Sequence, residues 1–202
     1  MKQIEITVRI TESVDKAMDK LEKLGYKIVK EGYIHDIYMT SKYNELNEDN
    51  IQYILKNSVL LRNIKTDDEE IKKITYKNKE FDDNGDVISE QKINVDIKDI
   101  EKSQKLFEAL NFKKLVEVKY KYISYKKDSQ AFALQLVENL GILLEYESEK
   151  DFEGITLQEI NEEKQKLYEE IKQMGLEITE EKDVKKAYEL IDKNLKNKSY
   201  SI

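Results

Sequence analysis

The sequence predicts an α+β fold in which eight largely antiparallel β-strands form a closed or nearly closed barrel, a tunnel, with amphipathic helices packed outside it. Three observations support this prediction. Many segments alternate charged and apolar residues, others place apolar residues three or four positions apart, and no composition break or internal repeat divides the 202 residues. The first strand shows the alternation: every second residue from Ile4 to Ile10 is apolar, whereas Glu5, Thr7 and Arg9 lie on the opposite face.

Composition limits the functions that the chain can perform. Charged residues make up 38% of it and apolar residues 39%, which is typical of a folded domain. The net charge of -7 argues against general affinity for nucleic acids. The absence of cysteine excludes disulfides and cysteine-ligated metals, and no glycine-rich phosphate loop is present. No apolar stretch is long enough to span a bilayer, so we expect a cytoplasmic protein that does not bind membranes.

The pattern predicts a single domain over residues 1–202, in which residues 1–150 form the barrel with its helices and residues 155–195 form C-terminal outer helices. Helices are predicted where apolar residues recur at helical spacing, over 14–24, 48–57, 99–111, 157–174 and 184–195. Strands are predicted where apolar and polar residues alternate, and a short extended segment is predicted at 26–30. The eight strands cover 4–10, 34–39, 58–65, 70–78, 87–97, 114–126, 130–139 and 141–149.

Turn-forming residues separate these elements. Gly25 ends the first helix and Gly175 separates the last two, since glycine readily adopts the conformation that follows a helix. The polar residues 66–69 join two strands in a hairpin, and the Asn-Leu-Gly sequence at 139–141 makes a tight turn between two others. Residues 81–86 are acidic but lack the ligand spacing of an EF-hand loop, so a turn is predicted there.

Closure of such a sheet would direct one face of every strand into a lumen with room for side chains or one small ligand. On this interpretation the lumen collects charges of both signs, on Glu5, Arg9, Arg62, Lys77, Lys119, Lys121, Glu145 and Glu147. A network of ion pairs without a ligand is an alternative, but burying so many charges is costly. His35, the only histidine, supports neither a catalytic triad nor a histidine-based zinc site, and we expect a structural role for it.

The order of short motifs along the chain resembles the CYTH superfamily, the triphosphate tunnel metalloenzymes that include class IV adenylate cyclases and thiamine triphosphatases. Each motif is weak alone, but the series spans nearly the whole chain. After the charged first strand and an amphipathic helix, the motifs are Asp36-Ile37-Tyr38, Leu61-Arg62, Ile74-Thr75-Tyr76-Lys77, Val118-Lys119-Tyr120-Lys121 followed by Tyr125, Leu140-Gly141 leading to Glu145-Tyr146-Glu147, and Lys186-Ala187-Tyr188-Glu189-Leu190 in the terminal helix.

The resemblance implies a tunnel that binds a triphosphate compound or a nucleotide. By position, it implies phosphate ligands at Arg9, Arg62, Lys77, Lys119 and Lys121. It also implies that magnesium or manganese, which prefer oxygen ligands, binds to Glu5, Glu145 and Glu147. A divalent ion that bridges carboxylates and phosphates would neutralise charge and align the attacking oxygen.

Several positions depart from the family pattern. The opening Glu-x-Glu-x-Lys signature is Glu5, Thr7 and Arg9 here, so a metal ligand is lost while a cation is kept. The other departures are Ile64 in place of a second arginine, Lys92 and Asn94 in place of two glutamates, and Gln135 in place of an acid. Two hypotheses remain open: a metal-dependent adenylate cyclase or triphosphatase with a weakened metal site, and a catalytically degenerate protein that binds nucleotides or polyphosphate. The substrate and the oligomeric state are not predicted.

Overall fold

The computed structural model describes residues 4–81, 87–148 and 156–199. The eight strands of this part of the chain form one sheet in the order β1-β8-β7-β6-β2-β3-β4-β5, and all of its ladders are antiparallel. This confirms the predicted eight-stranded antiparallel sheet with helices. The acidic turn predicted at 81–86 lies, apart from Phe81, outside the described residues.

In chain order the elements are β1 (Glu5–Ile10), α1 (Val14–Lys23), β2 (Lys27–Thr40), a 3₁₀ turn (Tyr43–Glu45), α2 (Ile51–Lys56), β3 (Val59–Lys65), β4 (Glu70–Phe81), β5 (Val87–Asp96), α3 (Ile100–Ala109), β6 (Lys113–Lys127), β7 (Gln130–Val137), β8 (Gly141–Glu147), α4 (Leu157–Gln173) and α5 (Lys186–Ser199).

Two long strands, β2 and β6, pair at the centre of the sheet. β2 continues through residues 31–33, where the sequence predicts a gap between two extended segments. Glycine is needed at position 32, because a Cβ atom there would lie 2.5 Å from the backbone oxygen of Lys65 on β3. The β2–β6 register shifts near both ends of β2, and such bulges allow long strands to bend.

The two edges of the sheet are β1 and β5. Within the described ranges no hydrogen-bonded ladder joins β1 to β5, so the predicted closure of the barrel is not observed in this sheet. Instead, the segment between α4 and α5 covers the free edge of β1. The Thr7 nitrogen donates to the Lys182 oxygen at 3.2 Å, and the Val184 nitrogen donates to the Thr7 oxygen at 2.9 Å. Eight strands are enough to form a closed barrel, but closure also requires that the two edge strands lie close enough to pair.

Helices pack on both faces of the sheet. α1 and α4 cover the apolar face of β1, and α3 packs near Ile37 and Leu61. α2 and α5 pack on the opposite face, where Val118 and Tyr120 of β6 join Ile191 of α5 in one buried cluster. This position corrects the prediction that both C-terminal helices lie outside, since α5 covers the face that was expected to form the interior. No described helix combines the length and the apolar composition that a membrane span requires.

Candidate functional site

A cavity of about 170 Å³ lies on the face of the sheet that α2 and α5 cover. Seven of the eight strands contribute side chains to its wall, because inward residues of neighbouring strands lie side by side. Among the described residues, the charged side chains of this wall are six cations and four carboxylates. The cations are Lys56, Arg62, Lys77, Lys92, Lys185 and Lys186, and the carboxylates are Glu5, Asp36, Glu145 and Asp183.

Arg62 and Asp36 form a bidentate ion pair in this wall. The β2–β3 ladder places the two residues directly opposite each other. Arg62 Nε donates to Asp36 Oδ1 at 2.7 Å, and Arg62 Nη2 donates to Asp36 Oδ2 at 2.6 Å. Burial alone would lower the pKa of the guanidinium, but the charge and the hydrogen bonds of Asp36 raise it well above its ordinary value. The guanidinium is therefore charged, and Asp36 fixes its plane.

Lys186, the first residue of α5, forms a second ion pair in the wall. Its Nζ donates to Glu145 Oε2 at 2.9 Å and to Gln135 Oε1 at 2.6 Å. Burial alone would raise the pKa of the Glu145 carboxyl, but the charge and hydrogen bond of Lys186 lower it well below its ordinary value. Burial likewise opposes the charge of Lys186, but the attraction of Glu145 raises the pKa of the ammonium. Both groups therefore carry their charges at neutral pH.

Half of the eight predicted site residues line the cavity. They come from four different strands, and the sheet brings them together on one face. These residues are Glu5, Arg62, Lys77 and Glu145. Thr7 and Lys92, two of the departures from the family pattern, line the same cavity. The cavity wall therefore contains four of the retained positions of the family pattern and two of the altered ones.

Two predicted phosphate ligands, Lys119 and Lys121, lie on the other face of β6, which corrects their expected position in the lumen. Lys119 Nζ is 3.5 Å from Glu117 Oε2, and Lys121 Nζ is 2.8 Å from Glu31 Oε2. The neighbouring residue Tyr120 lines the cavity instead. Both faces of β6 carry apolar residues, so the alternation alone does not determine which face points inward.

Arg9 and Glu147 are the other two predicted site residues that do not line the cavity. The guanidinium of Arg9 donates to the carboxylate of Glu189 at 2.6 Å and to the backbone oxygen of Leu140 at 2.6 Å. Arg9 lines a neighbouring depression of about 860 Å³. Glu147 is half-buried and lies opposite Glu5 in the β1–β8 ladder, but it is not part of the cavity wall as described. Both residues therefore lie on the predicted face of the sheet, the face that carries Glu5, but outside the wall of this cavity.

Three residues of the wall, Asp36, Tyr120 and Lys186, had no predicted role in the site. All three occur in the motifs that carry the family resemblance. In the sequence, Lys186 is a charged residue at the start of an apolar helical stripe. This pattern would identify it as a site residue only if α5 were predicted to cover the interior of the barrel. His35 lies away from the cavity, with Nε2 3.3 Å from Glu117 Oε2. This contact is compatible with the structural role expected for the histidine.

The carboxylates of the cavity do not form a metal centre. Throughout the described ranges, no group of three or more acidic, histidine or cysteine side chains has the arrangement of metal ligands. Glu5 and Glu145 are the two predicted ligands that line the wall, and Glu145 already accepts a hydrogen bond from Lys186. A magnesium or manganese ion would have to displace this ammonium from the carboxylate. Within the part of the chain that the structure describes, the residues of this cavity therefore do not fit a resident divalent ion.

The chain is similar to several known proteins. A Methanocaldococcus jannaschii protein, provisionally named an adenylate cyclase, is 30% identical over 190 residues, which cover 93% of this chain and 97% of the relative. The PH1819 protein of Pyrococcus horikoshii has a TM-score of 0.70 at 19% identity, covering 95% of this chain and 99% of its own. A Hippeastrum protein, described as a candidate adenylyl cyclase with a dominant triphosphatase activity, has a TM-score of 0.60 at 12% identity, covering 95% and 96%. No protein-family model matches the chain.

These similarities agree with the motif order and with the observed sheet. The Methanocaldococcus relative matches nearly the whole length of both chains, so the similarity is not confined to one motif. The structural neighbours share the fold over a similar extent, including a protein with triphosphatase activity. We conclude that this chain belongs to the CYTH superfamily.

Proposed function

We propose that this chain binds a triphosphate, free or as part of a nucleotide, in the cavity between the sheet and α5. The observation that carries the proposal is the excess of cations in the described cavity wall, six against four carboxylates. A triphosphate concentrates several negative charges on a short chain, and fixed cations attract it most strongly where little water separates the charges.

Cations on three neighbouring strands form the proposed phosphate-binding surface: Arg62 on β3, Lys77 on β4 and Lys92 on β5. The β4–β5 ladder places Lys77 directly opposite Lys92. The pKa of nearby Lys73 is lowered, first by burial and then by the charges of Arg62 and Lys92. The charges of Asp96 and Asp36 oppose this lowering. A bound polyphosphate would reduce the repulsion between these cations, which favours binding.

Turnover of the triphosphate is the second candidate function, and the relatives favour it. One is named as an adenylate cyclase and another is described with a triphosphatase activity. In hydrolysis, water would attack the terminal phosphorus atom and break its bond to the bridging oxygen, which releases phosphate. In cyclisation, a ribose hydroxyl would attack the α-phosphorus atom of ATP and release pyrophosphate. The resemblance implies magnesium or manganese for this chemistry, but the described carboxylates do not form a metal centre. The alternative is a chain that binds the triphosphate without turning it over.

Calorimetric titration with tripolyphosphate tests the binding proposal. Lys92→Met should weaken binding about tenfold, because it removes one charge-assisted contact with a phosphate. Lys119→Met is the matched control, since it removes the same charge from the outer face of the sheet, and it should change the affinity less than about twofold. Equal losses in the two variants would contradict the proposed position of the ligand.

Phosphate release separates turnover from binding alone. Tripolyphosphate and ATP are each incubated with the protein in magnesium, in manganese and in EDTA. Metal-dependent release, or a cyclic product from ATP, supports an enzyme. Thermal stabilisation by tripolyphosphate without any release supports a binding protein, because a ligand that binds only the folded state raises its stability.

A further inference from the structure

The ammonium of Lys186 lies among oxygen atoms that a divalent cation would use as ligands. Its Nζ is 2.9 Å from Glu145 Oε2 and 2.6 Å from Gln135 Oε1. Carboxylate and amide oxygens are also the ligands that magnesium and manganese prefer. A lysine therefore takes the position that a metal ion would need.

The fold holds this ammonium in place. Lys186 begins α5, and the residues that follow it, Ala187, Leu190 and Ile191, are buried in a cluster with β6. The Lys186 Nζ also lies 5.3 Å from the centroid of the Tyr120 ring, a distance suited to a cation–π contact. α5 fixes the backbone of Lys186, and the face of the Tyr120 ring attracts the positive charge. The ammonium is thus a fixed part of the cavity and differs from a mobile surface lysine.

We propose that Lys186 takes the place of a divalent metal ion in this cavity, so that the chain binds a triphosphate without metal. This inference rests on the proposed function. The ammonium neutralises Glu145, which would otherwise repel an anion. An ammonium has three N–H groups, and two of its bonds are made to Gln135 and Glu145, so we expect the third N–H to contact a phosphate oxygen. A metal ion must first displace the ammonium from Glu145, which weakens metal binding.

Manganese titrations without phosphate, followed by electron paramagnetic resonance, test this inference directly. Lys186→Met removes the ammonium and keeps much of the apolar stem. Lys185→Met is the matched control, because Lys185 lines the same cavity but pairs with Asp183 at 3.7 Å. We expect Lys186→Met to bind manganese about tenfold more tightly than the wild type, and Lys185→Met to stay within about threefold of it. Equal manganese affinities of the two variants would overturn the inference.

Tripolyphosphate titrations give the second measurement. The wild type should bind with nearly the same dissociation constant in EDTA and in manganese. Lys186→Met should lose about tenfold in EDTA and recover when manganese is added, since the ion can then occupy the vacated position. A purely structural role for Lys186 would not produce this recovery. If Lys186→Met does not fold, Lys186→Gln replaces it, because glutamine can still donate a hydrogen bond to Glu145. We expect the same loss of tripolyphosphate affinity in EDTA and the same recovery in manganese.

The two proposals fail in different ways. Wild-type binding that requires manganese would overturn the role of Lys186 and leave the proposed function intact. Absence of tripolyphosphate binding in both conditions would overturn the proposed function, while the manganese titrations would still decide whether Lys186 competes with a metal. Lys186→Arg, which keeps the positive charge, should bind tripolyphosphate in EDTA within about threefold of the wild type.

Discussion

Replacing Asp36 with alanine should destabilise the fold strongly, because it leaves the Arg62 guanidinium in the cavity wall without its carboxylate. The two hydrogen bonds of the pair are 2.6 and 2.7 Å long, and the side chains of Asp36 and Arg62 are 3% and 20% exposed. Breaking a fully buried pair costs about 3–5 kcal/mol. Because water in the cavity can reach part of Arg62, we expect the free energy of unfolding to fall by about 3 kcal/mol.

Urea unfolding at neutral pH measures this loss, with the slope against urea expected to stay unchanged. Glu31→Ala is the matched control. Glu31 pairs with Lys121 at 2.8 Å, but these side chains are 49% and 33% exposed, so the control should lose less than about 1 kcal/mol. A similarly small loss for Asp36→Ala would refute the reasoning, since it would mean that water replaces the carboxylate around Arg62.

Two further predictions concern pH and packing. The folded state lowers the pKa of Glu145 from the ordinary 4.5, so the stability from this carboxylate is complete above about pH 4.5 and is lost as the pH falls through the lowered pKa. Urea unfolding measured at decreasing pH should therefore show that the free energy of unfolding falls less for Glu145→Gln than for the wild type. If it falls equally in the two proteins, the result would count against the ion pair. Gly32→Ala should cost about 2 kcal/mol, because its Cβ would lie 2.5 Å from the Lys65 oxygen. An unchanged melting temperature for Gly32→Ala would contradict that close approach.

The strands could be predicted because alternation is a local pattern. β1 carries this pattern and occurs at its predicted position, and β3 and β4, which the predicted hairpin joins, occur near theirs. The continuity of β2 could not be predicted in this way, since glycine normally weakens a strand. Gly32 is tolerated there because β3 approaches closely at Lys65, a contact between residues that are distant in sequence. Closure likewise depends on where the two edge strands lie, and no local pattern contains that information.

The candidate site was predictable where one face of a strand is clearly polar. Glu5 follows this rule and lines the cavity, whereas Arg62, which shares its face of β3 with Leu60 and Ile64, is identified only through the family motif. On β6, Val118 and Ile123 are both buried although they lie on opposite faces, so a period of two leaves the inward face undetermined. Lys186 was missed for a related reason. An apolar helical stripe predicts that α5 packs on the sheet, but not which face of the sheet it covers.

Calorimetric titration of the wild-type protein with tripolyphosphate, performed in EDTA and repeated in manganese, tests directly whether this cavity binds a triphosphate. We predict saturable binding in both conditions, with an affinity that falls as salt is added because the contacts are electrostatic. Absence of binding in both conditions would contradict the claim that this cavity is a triphosphate site.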